Sequence, residues 1–305
     1  MHSNLLLNNL NKQLLKWDGL ERTYLVYKPS WYNKNKPLPL VILLHGGGGT
    51  SSAMVSLTQG GFNKIAERDG FIVAYPDGIE GIWNDGRKGM QYRAHKENID
   101  DIGFISILID TLANQLNIDK SRVYVAGISN GAFMTHRIGC ELSEKVAAIA
   151  MIAGAIPKNK TYSTVPKKPI PIIIINGTDD PLIPWKGGKI GFKSNIRYMG
   201  EVISTPETVK FWIETNKCSS EPIITYEIDK DKNDGTIVRK EIYTSDKNGA
   251  EVILYTIEGG GHTWPGGKQY LPEKIIGKTN RDIDANEVIW RFFKKQVNKK
   301  TENIL

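Results

Sequence analysis

The chain is poor in cysteine and in long apolar runs, and its charge is not gathered in one place. Cys140 and Cys218 are the two cysteines among 305 residues. They form neither a metal-spaced pair nor a disulfide framework. Cys140 falls inside an apolar helical pattern, where a thiol serves as a small buried hydrophobe. No stretch approaches the roughly 18 uninterrupted apolar residues of a membrane span. The net charge is +7, with lysines scattered among acids, which is the pattern of a solvated surface rather than a nucleic-acid or membrane footprint.

Other absences narrow the reading further. No zinc-type spacing is present. Asp229-Lys230-Asp231-Lys232-Asn233-Asp234-Gly235 looks like the opening of an EF-hand loop. However, its glycine comes one residue late and Lys240 stands where a bidentate glutamate belongs, so it reads as a hairpin turn. The N-terminus has leucines at near-helical spacing broken by asparagines, without the basic start, continuous hydrophobic region or cleavage site of a signal peptide. With no repeat or linker, the expected division is a tail or short helix over 1–15, one catalytic domain over 16–298 and a tail over 299–305. A cytoplasmic location is expected as the chain stands, and a secreted or periplasmic one if a signal was removed.

What is present is alternation. Apolar strand-like runs at 40–44, 71–75, 123–126, 147–153 and 171–175 alternate with helical patterns at 62–68, 102–116 and 131–142. Uninterrupted Val/Ile/Leu strands separated by helices predict an α/β class domain: a single doubly wound, mostly parallel sheet with helices on both faces. Asp100 or Asp101 is placed to cap the second of these helices. Ser204-Thr205-Pro206-Glu207 predicts a capping box. Residues 223–257 read as antiparallel strands with turns at Asp234-Gly235 and Asn248-Gly249, and a last helix is expected over 285–297.

Three motifs carry chemistry. Gly127-Ile128-Ser129-Asn130-Gly131 lies between a strand and a helix, the context in which G-x-S-x-G forms a nucleophile elbow. Leu44-His45-Gly46-Gly47-Gly48-Gly49 follows an early strand. It predicts an oxyanion hole built from the N–H of Asn130 and that of Gly47, with Gly46 as the neighbouring choice. No Gly-Lys-Ser/Thr follows these glycines, so a phosphate loop is excluded. His45 is expected to brace this loop beside the substrate. The elbow calls for an acid and then a histidine later in the chain. Asp180, before Pro181 at the end of an isoleucine-rich strand, is the preferred acid, with Asp179 as the local alternative. Only His262 follows it; His2, His45, His95 and His136 all precede it. His262 lies in Gly259-Gly260-Gly261-His262-Thr263-Trp264-Pro265-Gly266-Gly267, whose glycines are expected to let the loop turn sharply.

With these motifs, the chain resembles the polyhydroxybutyrate depolymerase and feruloyl esterase group of α/β-hydrolases. The resemblance runs from about Gly19 to Val297. It rests also on Gly19-Leu20-Glu21-Arg22-Thr23-Tyr24, Trp83-Asn84, Asp100-Asp101-Ile102-Gly103-Phe104, the stretch from Asn176 to Trp185, and Asp284-Ala285-Asn286-Glu287-Val288-Ile289-Trp290. It implies a serine carboxylesterase without cofactor or metal, acting on hydroxycinnamoyl, short acyl or hydroxyalkanoate polymer esters. Ser129, Asp180 and His262 would be its triad. Trp185 and Trp264 match aromatic positions flanking the group's cleft, and Asp101 and Trp83 positions that support loops near it. Many relatives pair a cysteine at the position of Cys218 with one in the following hairpin; Tyr243-Thr244-Ser245-Asp246 has none. A small-molecule or polymer ester is thus the expected partner. An acyltransferase or peptidase is the rival enzyme, and a catalytically silent binding module the rival of another class.

Overall fold

The computed structural model describes residues 10–163, 165–191, 199–246 and 249–298. Its strands are β1 (Leu10–Trp17), β2 (Leu20–Tyr27), β3 (Leu38–Leu44), β4 (Ile72–Pro76), β5 (Ile118–Ile128), β6 (Ala148–Ile152), β7 (Ile172–Gly177), β8 (Gly188–Lys189), β9 (Glu201–Val202), β10 (Ile223–Tyr226), β11 (Ile237–Tyr243) and β12 (Val252–Glu258). Its helices are α1 (Ser51–Leu57), α2 (Gly61–Asp69), α3 (Arg93–Lys96), α4 (Asp101–Leu116), α5 (Asn130–Glu141), α6 (Thr205–Asn216), α7 (Glu273–Ile276) and α8 (Ala285–Phe293). Ten strands form one sheet in the order β1-β2-β4-β3-β5-β6-β7-β12-β11-β10. Strands β4, β3, β5, β6, β7 and β12 run parallel. Antiparallel pairs β1–β2 and β11–β10 form the two ends.

The continuous apolar strands follow from burial on both faces. Alternate residues point to opposite sides of a strand. Ile42, Val125, Met151 and Ile174 accordingly pack with α4, α5 and α6, whereas Leu43, Ala126, Ala150 and Ile175 pack with α1, α2 and α8. Both predicted helix starts are observed. Asp100 accepts from the Gly103 N–H at 2.8 Å, and Ser204 and Glu207 exchange both bonds of the capping box.

Three local expectations are corrected. Residues 10–15 belong to strand β1, paired with β2 from Leu10 to Trp17; the partner strand supplies the backbone hydrogen bonds that order this segment, and local spacing does not reveal it. Residues 1–9 and 299–305 lie outside the described ones. The segment 223–257 is not wholly antiparallel, because β12 joins the sheet parallel to β7. The acidic stretch before β11 is a longer connection, not a tight turn. Its Asp234 accepts from the N–H groups of Thr236 and Arg281, and Asp282 accepts from those of Lys230 and Asp231. Asn248 of the second predicted turn lies outside the described residues. Neither cysteine is in a disulfide. Among the described residues no helix is long and apolar enough to cross a membrane.

His136 on α5 is fully buried, its ring edge-on to Phe211 and Trp212. Burial, with a smaller contribution from the Lys160 charge, pushes its pKa down to about 3. Since the folded pKa lies below the unfolded one, the unfolded chain binds the extra proton between the two values. Stability therefore falls as pH drops from about 6.5 towards 3, by about 1 kcal/mol per pH unit. A His136→Gln variant cannot titrate there. Calorimetry at pH 7, 5.5 and 4 is expected to show a shallower loss of stability than in the wild type; equal slopes would contradict this account.

Candidate active site

The carboxyl ends of the central parallel strands meet at one edge of the sheet, where open α/β sheets place their ligands. Strand β5 ends at Ile128 and α5 starts at Asn130, leaving Ser129 alone in the turn. Its backbone is at φ 57° and ψ −121°, a strained conformation for a residue with a side chain. The turn is held on both sides. The Ser129 N–H donates to the Ile152 carbonyl at 3.0 Å, and the Ser129 carbonyl accepts from the N–H groups of Ala132 and Phe133. A side chain at Gly127 would collide with the Gly131 carbonyl, and one at Gly131 with the carbonyls of Leu44 and His45. Close packing explains both glycines of the motif, as expected for an elbow.

Strand β3 delivers the glycine loop against this turn. An added Cβ on Gly46 would lie 3.4 Å from Ser129 Cβ, and one on Gly47 would lie 3.7 Å from Asn130 Cβ. The N–H groups of Gly48 and Gly49 donate within the protein, to Gly81 and Gly46 carbonyls at 2.8 and 3.0 Å. Among the described residues those of Gly47 and Asn130 have no protein acceptor. The start of α5 adds the positive end of its dipole, with no acidic residue in its first turn to offset it.

His45 braces the loop from beneath. Its Nδ1 donates to the Gly46 carbonyl at 2.7 Å, and its Nε2 accepts from the Gly78 N–H at 3.0 Å. Burial lowers its pKa against the opposing pull of the Gly46 carbonyl and Asp77, so the ring is neutral with both nitrogens engaged. Trp83 packs against it with the rings tilted by 34° and their centroids 5.0 Å apart, and donates its indole N–H to the His45 carbonyl. Behind Trp83, Asp101 accepts from Arg22 at 2.5 Å and from the Asn84 N–H at 2.6 Å.

The candidate acid and base, Asp180 and His262, follow the ends of β7 and β12. Asp180 Oδ2 accepts from His262 Nδ1 at 2.7 Å, while its Oδ1 accepts from the N–H groups of Leu182 and Ile183, each at 2.8 Å. Both side chains are buried. Asp179 is exposed, and its carboxylate receives only the neighbouring Thr178 hydroxyl among the described residues. The backbone of His262 is pinned at both ends, its N–H to Ile276 at 2.6 Å and its carbonyl to the Tyr270 hydroxyl at 3.1 Å.

The glycines around His262 meet the expectation of a sharply turning loop only in part. Gly259 and Gly266 have positive φ. Gly261 is instead there for space, since a side chain would strike the backbone of Ile276 and Gly277. Trp264 is fully buried. It donates to Asn286 at 3.2 Å and meets the Phe62 ring edge-on at 6.3 Å, so it ties the loop to α8 and α2 and does not wall the cleft. Trp185 is half-buried against the core, where its carbonyl accepts from the Thr205 N–H, and it too stays off the cavity. Of the three residues expected beside the substrate, only His45 borders the cavity.

That cavity has a volume of about 690 Å³ and is bordered by Ser129, Asn130, His262 and Gly46 to Gly49. Its other walls are mainly apolar: Met54, Leu57, Ile82, Phe133 and Leu182. Tyr270 and Leu271 stand half-exposed at its edge. The sequence carried no signal for Phe133 or Tyr270, whose roles arise from packing between distant segments.

Residues 31–201, more than half of the chain, match the phospholipase/carboxylesterase family. The chain belongs to that family. It is thereby placed among the carboxylic ester hydrolases of the α/β-hydrolase fold, and the resemblance to feruloyl esterases read from its motifs holds. The chain is 28% identical over 258 residues to the NocK protein of Nocardia uniformis subsp. tsuyamanensis, covering 81% of this chain and 71% of that one. It is 31% identical over 255 residues to feruloyl esterase B of Piromyces equi, covering 81% of this chain but only 44% of the relative. Among solved structures, the acetyl xylan esterase from Aspergillus awamori shares the fold with a TM-score of 0.60 at 17% identity, over 93% of this chain and 99% of that one.

The geometry separates the two candidate acids. In an ester-hydrolysis assay Asp180→Ala is expected to lower kcat by roughly 10⁴-fold, whereas Asp179→Ala stays near wild type. The reverse order would show that the wrong carboxylate has been paired with His262.

Proposed function

We propose that the protein is a serine esterase working through an acyl-enzyme, with Ser129 as nucleophile, His262 as base and Asp180 as its orienting acid. The observation that carries this reading is the buried Asp180–His262 pair opening into the same cavity as a serine on a strained elbow. With Nδ1–H committed to Asp180, a neutral His262 has its lone pair on Nε2, ready to take the Ser129 proton. Ser129 Oγ attacks the ester carbonyl, and the N–H groups of Gly47 and Asn130 hold the resulting oxyanion. His262 then passes the proton to the departing alcohol. Water attacks the acyl-enzyme by the same route and releases the acid.

The apolar walls support a hydroxycinnamoyl or short acyl group as the acid part, in keeping with the feruloyl esterase relative. The half-exposed Tyr270 and Leu271 at the edge also favour, as a second reading, a hydroxyalkanoate polyester lying across the mouth. A silent binding module has little support, because burying an aspartate–histidine pair is costly without chemistry to use it.

The purified protein is expected to hydrolyse short-chain p-nitrophenyl esters, and Ser129→Ala to abolish this with unchanged melting temperature. Activity near wild type in that variant would refute the assignment. Methyl ferulate, acetylated sugars and hydroxybutyrate oligomers compared by kcat/KM then select the acyl class.

A further inference from the structure

The buried carboxylate of Asp85 lies outside the triad, yet one of its contacts reaches the proposed oxyanion hole. It is fully buried. Asp85 Oδ2 accepts from Asn130 Nδ2 at 2.6 Å and from Arg87 Nη2 at 2.8 Å. Its Oδ1 accepts from the Arg87 N–H at 3.1 Å and from His95 Nε2 at 3.0 Å, and Arg87 Nε lies 3.0 Å from both oxygens. The Asn130 amide is otherwise paired with one backbone unit: Oδ1 accepts from the Trp83 N–H at 2.9 Å and Nδ2 donates to the Trp83 carbonyl at 3.1 Å.

We propose that Asp85 is a positioning residue of the oxyanion hole, acting through the side chain of Asn130. The proposal rests on the esterase reading, in which the Asn130 N–H is one oxyanion donor. A carboxylate only accepts hydrogen bonds, so only the NH₂ side of the Asn130 amide can face it. That choice leaves Oδ1 for the Trp83 N–H and removes the flipped orientation. With its side chain held at three points, Asn130 cannot swing, and the peptide carrying its N–H is held with it. The ion partner Arg87 offsets the charge of Asp85, and His95 adds a hydrogen bond, so the hole is not faced by an uncompensated anion. Trp83 also donates to the His45 carbonyl, one residue before Gly46. Both sides of the hole are therefore tied to the same tryptophan.

The test compares Asn130→Ala, Asp85→Asn and the double variant of the full chain on a p-nitrophenyl ester, together with inhibition by an alkyl boronic acid. Such an acid forms a tetrahedral adduct with the serine and places an oxygen in the hole. Asn130→Ala keeps the backbone N–H and the Asp85–Arg87–His95 cluster, and removes only the clamp. Each single variant is expected to lose roughly 10- to 100-fold in kcat, the scale of a misplaced group. KM should stay within about twofold while boronate affinity falls in step with kcat/KM. The double variant should be no slower than Asn130→Ala, because both changes break one unit. An unchanged kcat in Asp85→Asn would overturn the proposal. So would a further loss in the Asn130→Ala background as large as that in the wild type. If Asp85→Asn does not fold, Asn130→Ala alone decides, and a wild-type kcat there overturns the proposal. Failure of the esterase reading is distinct: it appears as retained activity in Ser129→Ala.

Discussion

The site depends on one close backbone approach, where the first turn of α5 lies against the end of β3. Gly131 faces the carbonyls of Leu44 and His45 with no room for a side chain. This contact sets the serine turn and the glycine loop side by side, so that Asn130 and Gly47 adjoin. The elbow is strained at Ser129, and the surroundings hold the strain in place: the bond to Ile152, the start of α5 and the closed packing at Gly127 and Gly131.

Around that contact the sheet acts as a jig. Strands β3, β5, β7 and β12 run parallel, so their carboxyl ends bring His45, Ser129, Asp180 and His262 to one edge although they are far apart in sequence. Insertion of β12 beside β7 is the decisive step. It puts the loop after β12 next to the loop after β7, where a side chain at Gly177 would strike the backbone of Gly260 and Gly261. The acidic connection before β11 contributes from outside. Asp234 and Asp282 knit it to the segment 280–282, whose neighbour Lys278 accepts from the Gly261 N–H at 2.9 Å. A stretch with the look of a cation loop is thus linked by hydrogen bonds to the segment that contacts the histidine loop.

Much of this was legible without coordinates, for identifiable reasons. Apolar runs of Ile172–Ile175 type mean burial on both faces, so the parallel sheet could be read. The elbow serine follows from its glycines and flanking elements, and His262 follows because it is the sole histidine after the acid. The misreadings share a different cause. Trp264 carries the same composition signal whether it lines a cleft or plugs a core, and only the positions of Phe62 and Asn286 distinguish them. Residues 10–15 carry the local pattern of a tail or helix because an edge strand borrows its order from a neighbour.

The sequence by itself determined the class of sheet, the chain order of the candidate site residues, and the need for glycine where backbones cross. Those properties are written in local pattern, since periodicity, turn chemistry and chain order require no knowledge of distant partners. Tertiary structure alone decided that Asp180 and not Asp179 meets His262, and that Trp185 and Trp264 stay off the cavity. It alone placed a buried Asp85 behind Asn130. Each of these depends on which segments from distant parts of the chain are packed together, and hydrogen bonds of 2.6–2.7 Å across such gaps leave no trace in local composition.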